Sequence, residues 1–112
     1  MKWKVVLVPF PFDDLSGTKT RPAVCLTPAV GVYQHVVVAF ITSQAAKATE
    51  ATDLPIPSTH PEFKQTGLKV DSAIRLHRLI TLPSHIILRE LGVVSPAIQV
   101  EIATRLRTLF DL

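Results

Sequence analysis

Cys25 is the only cysteine in the chain of 112 residues. A disulfide framework and a cysteine-rich zinc site are therefore excluded, and a reducing cytoplasm is the expected compartment. Glycine is scarce too: the four stand apart at 17, 31, 67 and 92, so no glycine-rich loop is present to cradle a nucleotide phosphate. The four histidines (His35, His60, His77 and His85) lack metal-ligand spacing, and no Gly-x-Ser-x-Gly occurs. Nothing in the chain approaches the roughly 18 consecutive apolar residues of a membrane span. The start, Met-Lys-Trp-Lys-Val-Val-Leu-Val-Pro, is basic, but Pro9 breaks its apolar stretch and no small-residue cleavage site follows. We expect no secretory signal and no membrane association.

Apolar residues make up 47% of the sequence and charged residues 19%. That balance supports a small packed core and argues against disorder. The length fits one domain over residues 1–112. Lys and Arg total 12 against 9 Asp and Glu, a formal charge of +3. A surplus of this size fits transient contact with a polyanion, although many proteins without such a partner share it.

Residues 3–8 are rich in β-branched side chains and read as a strand closed by Pro9 and Pro11. Residues 9–20 read as a long loop, and residues 21–27 as a second strand with Pro22 near its beginning. Residues 28–31 form a turn. Residues 32–41 are apolar on both faces and predict a central strand. Residues 42–51 read as a loop or helical turn, residues 53–56 as a short strand, and residues 68–81 as a long strand or a bent pair. At the end, Ser95 is a good N-cap with Pro96 at the first helical position. Ile98, Ile102, Leu106 and Leu109 then recur at helical spacing, with Phe110 beside them. The expected fold is mainly β: a small barrel with a C-terminal helix.

Polar residues at strand and loop junctions are the chemical candidates. If residues 68–81 are extended, alternation puts Leu68, Val70, Ile74, Leu76 and Ile80 mostly on one face and Lys69, Asp71, Arg75 and His77 on the other. That second face is either the solvated side of a half-buried sheet or an anion site with Asp71 oriented by its basic neighbours. Arg21 is either simply exposed or functional. Thr42 and Ser43 either tie up backbone groups at a strand end or contribute hydroxyls to a site. Cys25 and His35 read as packing residues, and Asp13 and Asp14 as turn formers.

Three blocks resemble the MazF/PemK family of toxins. Val6-Leu7-Val8-Pro9-Phe10-Pro11-Phe12, then Asp14-Leu15-Ser16-Gly17 and Lys19-Thr20-Arg21-Pro22-Ala23-Val24, are similar to the family's opening. Phe40-Ile41-Thr42-Ser43-Gln44 resembles its strand-end motif, and Gly67-Leu68-Lys69-Val70-Asp71 its third. The likeness runs nearly the whole chain in the right order. It implies an SH3-like β-barrel with a terminal helix, a homodimer, and a type II toxin neutralised by a cognate antitoxin. It also implies cleavage of single-stranded mRNA at short sequences, with no metal or other cofactor.

On that resemblance Arg21, Thr42 and Asp71 match catalytic positions, and Ser43 a supporting hydroxyl. Lys19, Gln44, Lys69 and Arg75 are expected to contact RNA, with Phe10 and Phe12 the aromatic residues nearest the groove in sequence. RNA cleavage by its own 2′-OH needs a base for that hydroxyl, an acid for the 5′-oxygen and fixed donors for the charge on phosphorus. Asp71 is the expected base and Arg21 the electrostatic element. Lys69 stands where some relatives carry arginine, and residues 9–20 contain no histidine. The acid is therefore open between Arg21, Lys69 and His77. Two other readings remain: a gyrase-poisoning toxin of the same fold, and an inactive RNA-binding barrel. The first relies on a Trp-containing tail, whereas this chain ends Leu109-Phe110-Asp111-Leu112 and its only tryptophan is Trp3.

Overall fold

Val36, Val38, Ala39 and Ile41 leave no exposed side to the strand that carries them, and it forms the middle of the sheet. The computed structural model describes residues 1–10 and 19–112. Among these, the strands are β1 (Lys4–Phe10), β2 (Lys19–Cys25), β3 (His35–Thr42), β4 (Asp53–Ile56), β5 (Ser72–Pro83) and β6 (Arg89–Val93). They pair antiparallel in the order β4-β5-β3-β2-β1-β6. One helix, α1 (Pro96–Phe110), follows.

The chain is thus a mixed α/β fold: a curled antiparallel sheet, a half-barrel, with a C-terminal helix. β4 and β6 are its edges, and no pairing among the described residues closes one onto the other. The curl has a local cause. Ala39 pairs with Leu79 but Phe40 pairs with Arg75, so Leu76, His77 and Arg78 have no partner opposite them on β3. Extra residues on one strand bend it and increase its twist. The bulge also resets the side-chain alternation. Ile74 and Leu76 pack on the helix side, whereas Ile80 lies against the opposite cluster. The single apolar face expected over residues 68–81 is therefore split. Residues 68–71 precede the strand rather than begin it. A second bulge lies between β1 and β6, where Val5 faces Gly92 and Val6 faces Glu90.

Alternation gives the sheet two apolar faces. On one, Val5, Val24, Ala39, Ile41, Ile74 and Leu76 cluster with Val94, Ile98 and Ile102. Burying Ile98 and Ile102 stabilises the docked helix by about 1.5–3 kcal/mol each. On the other face Val6, Val8, Ala23, Cys25, Val36, Val38 and Leu82 form a second cluster. Burial there pushes the Cys25 thiol up to about 11, so it stays protonated and inert at neutral pH.

Ser95 caps α1 as expected, its hydroxyl accepting the Ile98 N–H at 3.3 Å. The helix stops at Asp111, which adopts a left-handed conformation. Phe110 lies outside the buried stripe and is exposed. No helix among the described residues is long and apolar enough to cross a membrane.

Candidate functional site

Polar side chains enter the second face near the ends of β2 and β3 and beside the bulge in β5. Arg21 lies opposite Val8 and shares a face with Ala23 and Cys25. Thr42, the last residue of β3, shares that face with Phe40 and Val38, and its cross-strand partner is Ala73. Arg75 pairs with Phe40 on one side and Asp53 on the other, so it projects the same way. Arg21, Thr42 and Arg75 meet in a cavity of about 250 Å³. Phe40, Ile41, Ser43, Gln44 and Arg78 also line it.

A second cavity, also about 250 Å³, shares Arg21, Ile41 and Ser43 with the first. Leu7, Pro22, Leu68, Val70 and Leu91 make its apolar walls, and Lys69 and Arg89 bring further positive charge. The segment carrying Leu68 and Lys69 is pinned by a close approach: a Cβ at Gly67 would overlap the Leu91 carbonyl. Gly67 also has φ +74°, which disfavours any side chain there. Among the described residues, no carboxylate lines either cavity. The shared region is an electropositive cleft suited to an anion.

Individual groups have defined orientations. Thr42 Oγ1 accepts the Gln44 N–H at 3.0 Å, which leaves its hydroxyl proton to donate elsewhere. Arg75 pairs with Asp53 through Nε to Oδ1 at 3.1 Å and Nη2 to Oδ2 at 3.5 Å. Asp53 is buried, and its Oδ2 also accepts the Glu50 N–H at 3.0 Å. His77 Nδ1 lies 3.7 Å from Asp53 Oδ1 and 3.5 Å from Thr52 Oγ1, and His77 lines neither cavity.

Asp71 does not line the cavity that Arg21 and Thr42 share. Its Oδ1 accepts the Ser58 N–H at 2.6 Å, and that bond holds its carboxyl below the usual carboxylate range. It is exposed and lines neither cavity, although its neighbours Val70 and Ser72 line the second. Lys19 is exposed at the start of β2, opposite Phe10, and lines neither cavity. Phe12 lies outside the described residues. The structure thus brings together Arg21, Thr42, Ser43, Gln44 and Arg75, with Lys69 in the adjoining cavity. It adds Phe40, Arg78 and Arg89 to the lining and Asp53 behind Arg75. Arg78 reaches the cavity by way of the bulge, which strand periodicity does not foretell. Among the described residues, no group of three or more His, Cys, Asp or Glu side chains is arranged to hold a metal ion.

The Mycobacterium tuberculosis toxin MazF-mt6 has a similar fold, with TM-score 0.72 and 22% identity over 97% of each chain. MazF from Deinococcus radiodurans gives 0.73 at 19% identity, over 99% of this chain and 96% of that one. An endoribonuclease in complex with its cognate antitoxin, from a mycobacterial species, gives 0.69 at 19% identity over 100% and 95%. At these identities the likeness is one of fold. A search of curated proteins finds no significant match. A sequence model of the PemK-like, MazF-like toxin of type II toxin–antitoxin systems matches residues 1–110, and the chain belongs to that family.

Proposed function

We propose that this toxin is a metal-independent endoribonuclease that cuts single-stranded mRNA at selected short sequences. The observation that carries the reading is the convergence of Arg21 from β2 with Thr42 and Ser43 at the end of β3 in one cavity, where the charged lining residues among those described are Arg21, Arg75 and Arg78. In the reaction the substrate's 2′-oxygen bonds to the adjacent phosphorus and the bond from phosphorus to the 5′-oxygen breaks. The products are a 2′,3′-cyclic phosphate and a 5′-hydroxyl. Arg21 supplies fixed donors to the phosphorane oxygens as charge grows there. Thr42, its oxygen already accepting from Gln44, turns its hydroxyl proton to a nonbridging oxygen.

Asp71 has a bracing part in this reading rather than that of base, because its Oδ1 ties down the Ser58 N–H and the residue lines neither cavity. The 2′-OH proton passes to solvent in the open cleft. Arg21 and Lys69 flank the position from which the 5′-oxygen is protonated, whereas His77 is held at Asp53. Lys19, Gln44 and Arg75 contact the RNA backbone, and Phe12 offers a ring for base stacking. The curled sheet belongs to an SH3-like barrel that pairs as a homodimer. A cognate antitoxin covers the cleft, a reading supported by relatives of this fold solved with their antitoxins.

Incubation of the purified protein with a long single-stranded RNA in EDTA, followed by mapping of the ends, tests the proposal. Discrete cuts bearing cyclic phosphates are expected, and Arg21→Ala should abolish them while circular dichroism stays unchanged. Binding without cuts would replace the enzyme with an RNA-binding module. Trapped gyrase–DNA adducts would replace it with a gyrase poison.

A further inference from the structure

We propose that Asp53 is a positioning residue, holding Arg75 as a preset clamp for the RNA phosphate next to the scissile one. The inference rests on the ribonuclease reading above.

A carboxylate whose side chain is only 1% exposed is costly unless every partner is in place. For Asp53 they are. One oxygen takes Arg75 Nε, and the other takes Arg75 Nη2 together with the Glu50 N–H. The backbone that carries Asp53 is anchored as well. Arg105 of α1 donates through Nη1 to the Ala51 carbonyl at 2.7 Å and to the Asp53 carbonyl at 2.9 Å. Asp53 is thus braced from the helix, while the arginine it grips lines the cleft on the sheet's other face.

The grip is side-on. Guanidinium carries five N–H donors in a rigid plane, and Asp53 engages the Nε and Nη2 edge. The Nη1 end bonds no described residue, and Arg75 lines the cavity with Arg21 and Arg78. An unrestrained arginine loses considerable rotamer freedom when it contacts a phosphate. Here that freedom is already gone before RNA arrives, which is how preorganisation improves affinity. The register gives the clamp its place. Arg75 lies opposite Phe40, and Phe40 is one same-face step, about 7 Å, along β3 from Thr42. A group at that displacement serves a neighbouring phosphate rather than the one at Thr42.

The test uses a short RNA spanning a mapped cut, with a 2′-deoxy sugar at the cut so that it binds without reacting. Asp53→Asn is expected to weaken binding about ten-fold. On the cleavable RNA, KM should rise by a similar factor while kcat changes less than about two-fold. Arg75→Ala should weaken binding comparably and lower the salt slope of log Kd by about 0.7, one phosphate's share on a single strand. The double variant should bind no more weakly than Arg75→Ala alone. Wild-type affinity in Asp53→Asn, or losses that multiply in the double variant, overturns the proposal. Should either variant fail to fold by circular dichroism, Arg75→Lys decides: it keeps the charge but not the fork. A ten-fold loss there supports the clamp, and wild-type affinity refutes it. If the wild-type protein binds no RNA, this inference and the ribonuclease reading fall together. If it binds but the variants match it, only the clamp falls.

Discussion

The two faces of the sheet are built by the same alternating strands and finished differently. Under the helix, Ile41, Ile74 and Leu76 meet Ile98 and Ile102 in a wholly apolar cluster. On the opposite face Val6, Ala23, Val36 and Val38 are equally buried, yet the same rows of side chains end in Arg21, Thr42 and Arg75. One face is closed by an added element. The other carries its polar groups at the rim, where they can hold charge while the buried middles of the strands keep them rigid. Stability and chemistry are thereby separated across a sheet one strand thick, and substitutions on each side should show it.

The largest effect should come from the closed face. Ile102→Ala is expected to cost about 2–5 kcal/mol in urea unfolding, because it opens a cavity where helix and sheet meet. RNA cleavage per folded molecule should not change. Loss of specific activity in the folded fraction would mean that the two faces are coupled. Arg21→Ala is the mirror experiment: kcat should fall about 10²–10³-fold, with unfolding free energy altered by less than about 1 kcal/mol. A larger loss of stability would make Arg21 a structural residue.

Gly67→Ala probes the boundary between the faces, since Gly67 pins the Lys69 segment against Leu91 beside the cleft. It should cost more than about 1 kcal/mol and raise KM for RNA as well, both read from one preparation. Asp71→Asn should have the smallest effect. Its carboxyl lies below the ordinary value, so the unfolded chain binds the proton more readily than the folded one. The stability Asp71 contributes is therefore full above about pH 4, the unfolded value, and fades as pH falls through the lower folded one. Thermal midpoints of wild type and Asp71→Asn should differ at neutral pH and converge on acidification, with cleavage changed less than about ten-fold. A loss of about 10²-fold or more would restore Asp71 as the general base.

Much of this arrangement can be read without coordinates, because local chemistry dictates it. The branched run before Thr42 has to be a central strand, and Ser95-Pro96 has to start a helix. Arg21 and Thr42 stand out as polar residues at strand ends within recognisable family blocks. β6 could not be read in the same way: Arg89-Glu90-Leu91-Gly92-Val93 is a half-exposed edge with a bulge, and it shows no alternation. Nor could the split face of β5, since the bulge that leaves Leu76–Arg78 without partners is set by pairing with β3 and not by the strand's own pattern.

Asp53, Arg75 and Asp71 mark where local pattern stops. Asp53 opens a short proline-containing strand and looks like a surface carboxylate, yet antiparallel register sets it opposite an arginine 22 residues away, and its carboxylate is buried. Asp71 follows a lysine and a valine in a block that suggests chemistry, and the return of the chain at Ser58 gives it a backbone partner that the local pattern does not foretell. Side-chain period, caps and breakers act over a few residues, so they define which segments are strands and where the helix begins. Partnership of charges depends on which strands lie side by side and in what register, and only the assembly of the sheet decides that.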